Sequence, residues 1–104
     1  MNMNGLKETK ELAEFGDANA QNLLGTTYEY GLSGVTASSI RAVEWYRLAA
    51  KQGHAKAQYN LAVNYFFGDG VTKDKAKALT LYRLAAKQGH AAAQEKLKNL
   101  GETI

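Results

Sequence analysis

Two histidines are the first side chains in this sequence that could bind a metal or move a proton. His54 and His90 each follow a glycine, in Gly53-His54-Ala55 and Gly89-His90-Ala91. Neither has a second histidine four residues on, and the chain has no cysteine, so the ligand spacing of a zinc helix is absent. Their shared setting marks a repeated position instead. Glu8, Glu11 and Glu14 could pair carboxylates for acid–base work, but Lys7 and Lys10 lie among them, the pattern of a solvated helix face. Gly68-Asp69-Gly70-Val71 lacks the Gly-Lys-Ser/Thr of a phosphate loop and follows a helical pattern rather than a strand. Lys73, Lys75 and Lys77 form one basic cluster. At i, i+2 and i+4 they do not share a helix face, and Asp74 interrupts them. No catalytic residue, metal or cofactor is expected from these groupings, and the chain does not read as an enzyme.

Composition narrows the classes further. The 104 residues contain no cysteine, which excludes a disulfide framework and a cysteine nucleophile. Lys7, Glu8, Lys10 and Glu11 stand where a secretory leader needs its apolar segment, and no stretch approaches the roughly 18 apolar residues of a membrane span. A cytoplasmic protein that does not insert into membranes is the expectation. The net charge is +3, with −1 on residues 1–52 (five basic, six acidic) and +4 on residues 53–104 (eight basic, four acidic). An excess this mild serves solubility first and is weak support for nucleic-acid binding.

What positions any site here is an internal repeat. Tyr46–Ala55 reads YRLAAKQGHA and Tyr82–Ala91 reads the same, 36 residues on. Leu24 and Tyr28 answer to Leu61 and Tyr65 at an offset of 37, and Gly31, Gly34 and Val35 to Gly68, Gly70 and Val71. Within a unit, Ala57, Leu61 and Tyr65 make one helical stripe, and Ala78, Leu81, Tyr82 and Ala85 make another. Gly68-Asp69-Gly70 breaks the first helix, Asp74 is expected in the first turn of the second and Lys87 in its last, and Gly89 supplies the left-handed residue after it. No segment alternates with period two. The chain is predicted to be all-α, with helices over 4–15, 17–30, 37–52, 54–67, 73–88 and 90–100. Trp45, Tyr46 and Tyr82 are assigned to packing between helix pairs.

The pattern Ala57-Gln58, Leu61, Tyr65, Gly68, Gly70-Val71, Asp74, Ala78, Tyr82, Ala85-Ala86, Gly89 resembles the Sel-one-like repeat, a relative of the tetratricopeptide repeat. The resemblance implies an α/α solenoid with a right-handed superhelix, used as an adaptor in protein complexes. In the first copy Ser38 replaces the aspartate, and the glycine turn is one residue longer. The units expected are a cap helix over 1–15, repeats over 16–52 and 53–88, and a closing half repeat over 89–104. Glu8 stands where Trp45 does, which reads as a helix with nothing outside it. Lys98 fills the small-residue slot of Gly25 and Ala62, which reads as a helix with no partner after it.

In tetratricopeptide-like arrays the first helices line a concave groove, and the resemblance places Lys56, Tyr59, Val63 and Phe66 there, with Phe67 adjoining. The same count gives Asn19, Asn22, Thr26 and Glu29 in the first repeat, and Glu95 and Asn99 in the last helix. An aromatic centre with a polar rim is the layout of a binding site. A central helix with neighbours on most sides would bury the same residues as core, so both readings stand. The function expected is recognition of a protein or peptide. The resemblance extends this to bacterial complex assembly or to neutralising a cognate toxin as an immunity protein. Nucleic-acid or polyanion binding through the basic second half is the alternative, and self-association is left open. A β-lactamase role, proposed for cysteine-rich relatives, is disfavoured because the cysteines of that branch are absent.

Overall fold

The computed structural model describes residues 3–103; residues 1, 2 and 104 of the expected end segments lie outside them. Six helices account for the described residues, with no strand among them: α1 (Met3–Glu14), α2 (Ala18–Tyr30), α3 (Ser39–Lys51), α4 (Ala55–Phe67), α5 (Lys75–Lys87) and α6 (Ala91–Asn99). Each expected helix is present with ends within two residues. Asp74 is the one shift of role. It stands just before α5 as its N-cap, accepting from the Lys77 N–H at 3.0 Å, rather than inside the first turn.

Each helix packs chiefly on those before and after it in sequence, so the chain stacks into a rod of 43 × 24 × 20 Å. Helices α2 and α4 are first helices of their repeats, and α3 and α5 are second helices. Three buried clusters follow the stack. Ala13, Ala20 and Leu24 join α1 to α2; Ala42, Val43, Tyr46 and Leu61 join α3 to α4; Ala62, Ala78, Tyr82, Ala85, Ala86, Ala93 and Leu97 join α4, α5 and α6. Tyr46 and Tyr82 are the largest fully buried side chains, as assigned from sequence, while Trp45 is half-buried against the first cluster.

Two glycines explain the tightness of the stack. A Cβ on Gly25 would stand 2.5 Å from the Tyr46 ring, so the small slot exists to admit the neighbouring helix. A Cβ on Gly70 would stand 2.5 Å from the Ser39 carbonyl, and its φ of +74° already favours glycine. The loop of the second repeat thus seats directly on the start of α3.

Candidate partner-binding face

Polar side chains repeat as regularly as apolar ones. Gln52 Nε2 donates to the Gly16 carbonyl and to Gln21 Oε1, at 2.9 and 2.8 Å. One repeat on, Gln88 Nε2 donates to the Gly53 carbonyl and to Gln58 Oε1, at 2.8 and 2.9 Å. Gln21, Gln58 and Gln94 each donate back to a carbonyl eight residues earlier. These bonds satisfy buried polar groups between helices and hold the register of the stack.

The histidines are caps. His54 Nδ1 accepts from the Ala57 N–H and His90 Nδ1 from the Ala93 N–H, at 3.1 and 3.2 Å, where the first repeat uses Asp17. An accepting Nδ1 leaves the proton on Nε2, and in His54 that N–H meets Asn19 Oδ1 at 2.8 Å. Burial, with Lys56 nearby, holds both rings below their ordinary pKa. Among the described residues no cluster of metal-ligating side chains surrounds either.

The expected site residues on α2 and α4 differ in depth. Asn19 and Lys56 are exposed, while Asn22, Thr26, Glu29, Tyr59, Val63 and Phe66 are half-buried. The structure links the first group to α4: Asn60 Nδ2 donates to Asn22 Oδ1 at 3.0 Å, and Asn64 Nδ2 to Glu29 Oε1 at 2.9 Å. Ser39 Oγ donates to the other Glu29 oxygen at 2.6 Å. Tyr59, Val63 and Phe66 pack inward on the third cluster, with Tyr59 and Phe66 ring centroids 5.6 and 6.4 Å from that of Tyr82. Tyr59 also stacks against His90 at 4.9 Å. These three therefore support the core and present an edge. Glu95 and Asn99 are exposed on α6 and make no side-chain hydrogen bond to the others.

Four residues outside the expected set lie next to it in sequence or in space. Tyr30 and Phe67 end α2 and α4 at the same repeat position, 37 residues apart, and are 69% and 59% exposed. Their matching offset was available in the sequence. Lys96 reaches back from α6, its Nζ 4.4 Å from the Phe66 centroid and 5.6 Å from that of Phe67, while Lys75 stands 5.6 Å from Phe66. Phe66 and Phe67 meet edge to face at 5.0 Å.

The two buried tyrosines differ at their tips. Burial pushes both phenols up to about 12, so each is a protonated donor at neutral pH. The Tyr46 hydroxyl lies 3.4 Å from Thr26 Oγ1. At the equivalent place in the second repeat stands Val63, and the buried Tyr82 hydroxyl has no partner.

Lys73 and Lys77 line a recess with Arg47, Tyr65, Thr72 and Asp74, whereas Lys75 goes to Phe66; the three lysines do not share one face. Arg47 donates to the Tyr65 hydroxyl at 3.0 Å, and Lys77 Nζ lies 5.4 Å from the Tyr65 centroid.

Comparison with known proteins agrees with this architecture. The Sel1 repeat family model matches residues 18–54 and 55–90. Chitin synthase regulatory factor 3 of Schizosaccharomyces pombe is 41% identical over 59 residues, 57% of this chain and 6% of that protein. A Sel1 repeat protein from Oxalobacter formigenes superposes with a TM-score of 0.78 at 45% identity, over 82% of this chain and 34% of that one. A protective antigen of uropathogenic Escherichia coli displaying an SLR fold gives 0.84 at 40% identity, over 88% and 19%. Cysteine rich protein B of Helicobacter pylori shares the fold at a TM-score of 0.85 and 22% identity, over 93% and 73%. The chain thus spans about a third or less of the first three of these relatives. Sel1 repeats generally mediate protein–protein interaction. Two consecutive matches across most of the sequence, on a stack whose caps, glutamines and glycine contacts recur with each repeat, make this chain a member of the Sel1 repeat family.

Proposed function

We propose that this chain is a non-enzymatic recognition module that takes a peptide segment or protein surface on the exposed side of α2, α4 and α6. The observation that carries the reading is the pair Tyr30 and Phe67, large aromatics left exposed at the same position of successive repeats. Solvated aromatics cost little to desolvate and bury large area on contact, which is why they anchor interfaces. Asn19, Asn22, Thr26, Glu29, Lys56, Glu95 and Asn99 would form the polar surround, with Tyr59, Val63 and Phe66 as the floor. Complex assembly, and neutralisation of a toxin as an immunity protein, both use such a surface; the regulatory name of the fission-yeast relative is in keeping with an adaptor. Affinity capture from the native cell extract, repeated with Phe67→Ala, tests the proposal: the bound protein should be lost with the aromatic. Retention of every captured protein by the variant would contradict it.

A second reading has one observation in its favour. Arg47, Lys73 and Lys77 converge beside Tyr65 and outnumber Asp74, the one carboxylate lining the same recess, a setting for a polyanion. A steep fall of affinity with salt would distinguish it.

A further inference from the structure

We infer that the partner segment is acidic: a peptide carrying Asp or Glu carboxylates beside apolar side chains, laid over the α4–α6 end of the face. The inference rests on the interaction reading above and names its chemistry. Lys96 and Lys75 hold their ammonium groups over Phe66 from two different helices, at 4.4 and 5.6 Å. A ring positions such a cation and leaves N–H donors free for an anion. Among the described residues the one ion pair is Arg83–Glu102, so neither lysine is paired with a carboxylate there, and Glu102, which shares a recess with Lys75 and Phe66, is taken up by Arg83. Phe67, under the same Lys96, supplies the apolar contact. The second observation is independent. The Tyr82 hydroxyl is fully buried without an acceptor, in a cluster bounded by Tyr59 and Phe66 of α4 and by Ala93 and Leu97 of α6. It is a donor with nothing to donate to, on a ring 6.4 Å from Phe66, over which both lysines stand.

The rest of the face agrees in charge. Lys56 is exposed on α4, and with Lys75 and Lys96 it outnumbers Glu95, the one carboxylate expected on α6. Over α2 the face changes character. It offers Asn19, Asn22 and Thr26, and Glu29 has both oxygens occupied by Asn64 and Ser39. A nucleic-acid backbone would need cations along the whole track, and α2 supplies none. An acidic peptide needs them only where its carboxylates fall.

A random peptide library displayed on phage and selected on the immobilised full chain tests this. The expected result is enrichment of Asp or Glu next to aromatic or aliphatic residues. The selected peptide, labelled and followed by fluorescence anisotropy, should bind about tenfold more weakly to Lys96→Gln. Three results overturn the inference. Neutral or basic peptides that Phe67→Ala releases would keep the face and remove the carboxylate. A library giving no peptide sensitive to Phe67→Ala would remove the face itself. Unlabelled oligothymidine of twenty nucleotides binding Lys96-dependently and more tightly than the peptide would make the ligand a nucleic acid.

Discussion

The hydroxyl of Tyr46 lies 3.4 Å from Thr26 Oγ1, and one repeat later the same contact is gone because Val63 stands where Thr26 does. A buried hydroxyl without a partner costs roughly 1–3 kcal/mol. Tyr82→Phe removes that atom and keeps the ring, so it should stabilise the protein by about 1 kcal/mol and raise Tm by roughly 4–8 °C. Tyr46→Phe, losing only a long hydrogen bond, should leave Tm nearly unchanged. Paired thermal melts of the two variants check this, and a fall in Tm for Tyr82→Phe would contradict it.

Three neighbours on one helix should separate by depth. Leu61 is 5% exposed in the second cluster, so Leu61→Ala should cost about 2–5 kcal/mol. Tyr59 is half-buried on Tyr82, and Tyr59→Ala should fall between, at about 2 kcal/mol. Phe67 is mostly exposed, and its truncation should cost about 0.5 kcal/mol or less. Urea unfolding of the three variants, read as the shift in midpoint, gives the order.

Acid should loosen the caps. Both histidines must be neutral at Nδ1 to accept their helix N–H, and both have folded pKa values below the ordinary 6.5, chiefly from desolvation. Between that lowered value and 6.5 the unfolded chain binds more protons than the folded one. Stability is therefore complete above about pH 6.5 and declines as pH drops through the window. Replacing both by aspartate, the residue that caps α2, should remove this decline, because an aspartate cap stays ionised there. Urea midpoints at pH 7.5 and pH 5 for wild type and His54→Asp/His90→Asp decide it.

The helices, their order and the small slot at Gly25 were legible because each follows from local spacing: a 3.6-residue stripe, a glycine after it, and a repeat that shows which positions answer to which. The roles of Asp74 and the histidines were readable only as positions at helix starts, since capping depends on a single φ/ψ change that periodicity does not resolve. The candidate face was harder. Spacing placed Tyr59, Val63 and Phe66 on one side of α4 but could not say that Tyr82 would lie beneath them, because that contact depends on how closely α5 and α6 approach. Lys96 is illegible in the sequence for the same reason: its neighbours Phe66 and Phe67 are thirty and twenty-nine residues away.

The most direct measurement compares two exposed apolar residues on different helices of the stack. Phe67 ends α4 on the proposed face, while Leu84, 44% exposed, lies on α5 and answers to the equally exposed Leu48 on α3. Both alanine variants should melt close to wild type, so binding can be read without a folding artefact. With a partner captured from the native extract, Phe67→Ala should weaken binding by about 2 kcal/mol or more, roughly thirtyfold, and Leu84→Ala should leave it unchanged. Loss on Leu84→Ala with binding intact in Phe67→Ala would place recognition around Leu84 instead.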